Sequence, residues 1–157
     1  MKKIMLGGGC FWGMEAYFKR LNGVLKTEVG YANGQTLEPT YEQVCSNTSG
    51  HAEVLDLTYD PELISLDTLL AHLWKVIDPT ALNRQGGDIG SQYRTGIYYY
   101  EVEDLPVIKA SRDEEAKKYE KPIVTEVLPV NYYFPAETYH QDYLTKNPGG
   151  YCHIKLD

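Results

Sequence analysis

A chain of 157 residues fits one domain and is long enough to bury a core without disulfide or metal staples. Its formal net charge of −7, with no Lys/Arg stripe to offset it, disfavours nucleic acid as a partner, and no apolar stretch approaches a membrane span. The three cysteines, Cys10, Cys45 and Cys152, have neither C-x-x-C nor zinc spacing, so no bound metal is expected, and their odd number without a secretory signal points to a reducing, cytoplasmic setting.

In chain order, Lys3–Leu6 reads as a short strand. It is too brief to be a signal core, which needs roughly 7–15 apolar residues. Gly7-Gly8-Gly9-Cys10-Phe11-Trp12-Gly13 follows and opens a helix over Phe11–Leu21, closed by Asn22-Gly23. Glycines allow a sharp turn and close approach of another molecule. A cysteine in the first helical turn meets the positive end of the helix dipole, so Cys10 is expected to favour thiolate. Inert burial as a small hydrophobe is the competing reading. Phe11 and Trp12 add two large apolar groups beside the thiol.

Val24–Tyr31 reads as a strand, residues 30–50 as a loop-rich connection, and Ala52–Tyr59 as a second strand. There Glu53 shares a face with Leu55, Leu57 and Tyr59. A carboxyl on an apolar face keeps its proton and can donate it near neutral pH. An exposed Glu53 at the strand start, paired with Lys or Arg, is the alternative, and the residues alone leave both open. His51 is equally a partner for Cys10 or a structural histidine.

Ser65 caps the clearest helix, with Leu66, Leu69, Leu70, Leu73, Trp74 and Ile77 at helical spacing. Asp78-Pro79 ends it. Thr80–Ser91 reads as a surface loop, Thr95–Val102 as a tyrosine-rich strand, and Leu105–Lys121 as a helix with solvated charges and a Glu114–Lys118 pair. Val124–Val130 is a last strand. Residues 131–157 form a tail, irregular except for Ala136–Thr145, and its Pro/Gly-rich end carries Cys152. A lone tail cysteine can be incidental, but beside a reactive Cys10 it reads as a resolving thiol. The element order predicts an α+β fold: a ferredoxin-like split βαβ sheet with helices packed on it and a long irregular C-terminal tail, in one catalytic domain over 1–157.

Several blocks, in order along the whole chain, resemble the A-type peptide methionine sulfoxide reductases. They are Gly9-Cys10-Phe11-Trp12-Gly13, Gly30-Tyr31-Ala32-Asn33-Gly34, Pro39-Thr40-Tyr41, Gly50-His51-Ala52-Glu53 and Asp88 through Arg94. Ala136-Glu137 through His140-Gln141 and Gly149-Gly150-Tyr151-Cys152 complete the series. Asn33, where glycine is usual, and Ser46 through Gly50 depart from the pattern in loops only.

The resemblance implies that Cys10 attacks the sulfoxide sulfur while Glu53 protonates the oxygen, with Tyr41 and Tyr93 donating hydrogen bonds to it. Phe11 and Trp12 would receive the methyl group and Asp88 would position substrate. The implied reaction takes the S epimer of methionine sulfoxide, free or in peptides and proteins. It passes through a Cys10 sulfenic acid to a Cys10–Cys152 disulfide, which a thioredoxin-type dithiol reduces. No cofactor and a monomeric chain are expected. His140 and Gln141 belong to the motif with no chemical role beyond bracing the tail, and Cys45 is expected to pack. Two other classes would use the same thiol: a cysteine hydrolase pairing Cys10 with His51 or His140, and a redox sensor that binds without turnover.

Overall fold

The computed structural model describes residues 1–34, 41 and 50–147. Strand β1 (Lys2–Gly8) leads into helix α1 (Phe11–Phe18), then β2 (Val24–Ala32) and β3 (Ala52–Tyr59). Helix α2 (Leu66–Val76) follows, then a hairpin of β4 (Arg84–Gln85) and β5 (Asp88–Ile89), strand β6 (Thr95–Tyr99) and helix α3 (Leu105–Ala116). Strands β7 (Glu126–Pro129) and β8 (Phe134–Pro135) and the short helix α4 (Tyr143–Lys146) complete the described chain. This is an α+β fold built on one mixed sheet.

The six main strands lie in the order β7-β6-β1-β3-β2-β8. All neighbours are antiparallel except β6 and β7, which run parallel. Strand β1 is central, so both faces must be apolar. Ile4 and Leu6 join the main core, and Met5 joins a smaller cluster with Ala32, Ala52, Val54 and Tyr98. The main core gathers Val29, Tyr31, Leu55, Leu57 and Ile97 from the sheet against Phe11, Met14 and Phe18 of α1 and the leucine stripe of α2. Ser65 starts α2 as expected, its Oγ accepting the Thr68 N–H at 3.1 Å. Trp74, on the inner stripe, donates Nε1–H to Ser111 Oγ of α3 at 2.9 Å.

Several expectations need correction. The Thr80–Ser91 segment is not a plain loop: it holds the β4–β5 hairpin, with the 3-10 turn Ser91–Tyr93 after it. Helices α1 and α3 stop short of Leu21 and Lys121, and β6 ends at Tyr99. At the end of α3 Lys117 pairs with Glu114 at 3.0 Å and Lys118 with Glu115 at 3.1 Å, both i,i+3, in place of Glu114–Lys118. Finally, Ala136–Thr145 divides into the 3-10 turn Thr138–His140 and α4, parted by Asp142 at φ 54°. Cys45, Cys152 and the end of the tail lie outside the described residues.

Candidate active site

The glycine run works at two positions. Gly9 turns the chain at φ 87°, a left-handed conformation that a side chain disfavours. Gly8 lets β1 and α1 approach, since a Cβ there would sit 2.5 Å from Met14 Sδ. Cys10 thereby becomes the N-cap of α1, buried with 6% of its surface exposed. The thiolate expectation is overturned. Burial pushes the thiol pKa well up, the Glu53 and Asp88 charges add to it, and the backbone N–H groups of Trp12 and Gly13 oppose it without prevailing. The resting group is a thiol.

Glu53 answers the question left open by the sequence. It is 1% exposed, on the core side of β3, and its Oε1 accepts the Phe11 N–H at 3.2 Å. Its Oε2 is buried without a hydrogen-bond partner among the described residues. Burial pushes its pKa up to about 8; the Phe11 N–H pulls down and the Asp88 charge pushes up. At neutral pH Glu53 is a carboxylic acid with one oxygen unengaged.

Asp88 reaches this site from β5. Its position is set by Gln85 across the hairpin, whose buried amide accepts from Asp78 N–H and donates to the Asp78 carbonyl, both at 2.8 Å. Tyr93 ends the adjoining 3-10 turn, which packs against β3. The Arg94 guanidinium holds that turn: Nε donates to Glu126 Oε1 at 2.7 Å, and its two terminal nitrogens donate to the carbonyls of Ser91 (2.9 Å) and Asn33 (3.2 Å).

The apolar wall is an aromatic cluster. Phe11 is buried, its ring 5.7 Å from Tyr31, 6.4 Å from Tyr41 and 5.2 Å from His140. Trp12 stacks on Tyr143 of α4 at 3.9 Å with 16° between planes, and its indole N–H donates to His140 Nδ1 at 3.0 Å. Cys10, Glu53, Phe11, Trp12 and Tyr41 thus lie in one neighbourhood, with Asp88 and Tyr93 on adjoining elements.

Three contributors had no assigned chemistry in the sequence, Tyr143, Glu137 and Arg94, and His140 had one only as a hydrolase partner for Cys10. Each acts over a large sequence separation, so no local pattern reveals it; all but Tyr143 fall within the quoted motif blocks. Gln141 braces the tail segment, its amide bonded to the N–H and carbonyl of Val29, both at 2.9 Å, and to the Ala136 carbonyl at 3.1 Å.

Among the described residues no hydrogen bond joins His51 to Cys10. The histidine is buried, its Nδ1 accepts the Gly34 N–H at 3.1 Å, and its ring meets Phe134 edge-on. Among the described residues no group of three His, Cys, Asp or Glu could hold a metal ion. A groove of about 470 Å³ between α2 and α3, floored by Ala71, Trp74 and Ala110, shares no residue with the cluster. What remains is a thiol and a neutral acid beside an aromatic cluster, a set able to receive a small apolar group and protonate an adjacent oxygen.

Residues 2–157 match the family model described as peptide methionine sulfoxide reductase. The chain is 60% identical over 157 residues to the peptide methionine sulfoxide reductase MsrA of Clostridium perfringens, covering 100% of both chains. It also superposes on Mxr1 of Saccharomyces cerevisiae in reduced form with a TM-score of 0.92 at 38% identity, covering 99% of this chain and 91% of that one. The same yeast protein in complex with Trx2 matches with a TM-score of 0.64 at 28% identity, over 90% and 84%.

Proposed function

The chain belongs to the A-type peptide methionine sulfoxide reductase family, and from that premise we propose how its site reduces methionine sulfoxide with thiols. The carrying observation is Glu53: an acid protonated at neutral pH, tied to the residue after Cys10, with one oxygen unengaged among the described residues. A sulfoxide oxygen leaves poorly as an anion, so a proton donor must meet it as charge develops.

In this reading Phe11 and Trp12 receive the S-methyl group while the oxygen turns toward Glu53 and the phenols of Tyr41 and Tyr93. Separate places for methyl and oxygen let the site select one sulfoxide epimer, and the family resemblance implies that it is the S epimer. Asp88 positions the remainder of the substrate. Cys10 sulfur attacks the sulfoxide sulfur, and Glu53 delivers its proton to the oxygen and takes up the one leaving the thiol. The oxygen passes to Cys10, so the products are methionine and a Cys10 sulfenic acid, with Glu53 unchanged overall. Cys152, outside the described residues, then condenses with the sulfenic acid, releasing water and forming a disulfide.

A dithiol of thioredoxin type reduces that disulfide, a step supported by the Trx2 complex of the similar yeast protein. We also propose a cytoplasmic, monomeric, cofactor-free enzyme. Its four central strands read as a ferredoxin-like unit, which the antiparallel order β6-β1-β3-β2 supports.

The test is a reductant-free incubation with an S-sulfoxide peptide, followed by cysteine mapping by mass spectrometry. One methionine per chain and a Cys10–Cys152 disulfide are expected. Turnover by Cys10→Ser, or formation of methionine without any change at Cys10, would overturn the mechanism.

A further inference from the structure

Glu137 stands half-buried at the start of the 3-10 turn Thr138–His140, and three donors converge on it. Its Oε1 accepts the Tyr31 hydroxyl at 2.7 Å. Its Oε2 accepts the Tyr41 backbone N–H at 3.1 Å and the Tyr139 hydroxyl at 3.4 Å. A set made only of donors suits an ionised carboxylate, which is acceptor-only. Its charge state agrees: burial pushes the pKa up, but the Tyr31 hydroxyl and the Tyr41 N–H outweigh it and hold the group below the usual carboxylate range.

Tyr31 gives the carboxylate a rigid footing. It is fully buried in β2, directly opposite Glu53 in the β2–β3 ladder, and packed against Phe11. Through Glu137 the backbone of Tyr41 is therefore fastened to the strand beside the acid. The grip is on the main chain, not on the hydroxyl, so it fixes the origin and direction of the side chain. The Tyr41 ring in turn lies over Phe11, 19° from parallel, and 4.4 Å from His140.

We propose that Glu137 is a positioning residue that holds the Tyr41 phenol at the sulfoxide oxygen by gripping the Tyr41 backbone N–H. The inference rests on the reading of Tyr41 as an oxygen-binding phenol. It assigns to a carboxylate outside the reacting atoms the task of aiming one of them, with the ionised Glu137 and the neutral Glu53 in separate duties.

A double-mutant cycle tests it, read as the single-turnover rate of sulfoxide reduction with melting temperature alongside. Tyr41→Phe keeps the N–H and removes the phenol. Glu137→Ala is expected to slow the step roughly tenfold with little change in KM, because the aim matters most as charge develops. Glu137→Gln should recover most of the rate, since its carbonyl can accept from Tyr41 while its amide donates to the Tyr31 oxygen. In the Tyr41→Phe background Glu137→Ala should be nearly silent.

A full Glu137→Ala effect without the phenol would overturn the proposal while leaving the reading of Tyr41 intact. Undiminished activity of Tyr41→Phe alone would remove that reading and the proposal with it. Should Glu137→Ala fail to fold, Glu137→Asp, which keeps the charge and shortens the reach, runs the same cycle.

Discussion

The Glu53 carboxyl and the Phe11 backbone N–H meet at 3.2 Å, joining the interior of β3 to the helix that begins after Cys10. The bond draws the acid toward the thiol and also moderates it, since an N–H stabilises carboxylate while burial disfavours it. Burial prevails, and Glu53 titrates at about 8.

The reductive step should therefore lose activity as pH rises through about 8, where Glu53 gives up its proton. Cys10, pushed well above the ordinary thiol range, does not supply a compensating rise there. Glu53→Gln should lower the rate by a factor on the order of 10² to 10⁴ and abolish the alkaline limb. Single-turnover rates across pH 6 to 9 check this. A wild-type rate climbing steadily over that span would contradict it.

The same shift predicts a stability profile. In the unfolded chain Glu53 releases its proton near 4.5, whereas the folded protein retains it until about 8. Unfolding thus releases a proton within that window, and Glu53's contribution to stability falls as pH rises through it, then levels. Glu53→Gln removes the contribution. The melting temperature of the wild type relative to this variant should drop between pH 5 and pH 8, and a constant difference would refute the assignment.

Trp12 is held by a stack and a hydrogen bond from the C-terminal segment. Losing an aromatic contact of this kind costs about 0.5–1.5 kcal/mol, so Tyr143→Ala should raise KM for a sulfoxide peptide roughly two- to tenfold with a smaller change in kcat. Steady-state kinetics with a thioredoxin-recycling assay measure it. An equal loss in kcat alone would place Tyr143 outside substrate binding.

Gln141 makes three hydrogen bonds to the backbone of Val29 and Ala136. Gln141→Ala should lower the unfolding free energy by about 2 kcal/mol, given that each partly buried hydrogen bond contributes about 1 ± 0.5 kcal/mol and some are recovered by water. Denaturant titration tests it, and a change under 0.5 kcal/mol would show that the brace is dispensable.

Much of this was readable from the chain because it is set by parity and caps. Ala52–Tyr59 has the strand boundaries the sequence implied, and its alternation turned Glu53 into the core. Ser65 began α2 because its hydroxyl meets the Thr68 N–H, a bond between near neighbours. The thiol's state was misjudged because dipole and cap are local, whereas burial comes from the whole fold. The β4–β5 hairpin escaped because two-residue strands flanking Gly86-Gly87 have no period to read.

The break in Ala136–Thr145 has a similarly distant origin. Asp142 N–H bonds the buried Glu15 at 2.6 Å, and Gln141 is committed to Val29, so the backbone follows those partners instead of continuing one turn. The Trp12–His140 bond spans 128 positions, and nothing beside either residue announces it.

In the β2–β3 ladder Tyr31 pairs with Glu53 and Val29 with Leu55. Because side chains alternate, slipping β3 by one residue would turn Glu53 away from Cys10 and send Val54 into its place, although every backbone bond could still find a partner. A one-residue insertion or deletion here would thus be a frameshift within the sheet. The strand could remain paired and the chain folded, yet the buried carboxylic acid would stand on the wrong side of the wall.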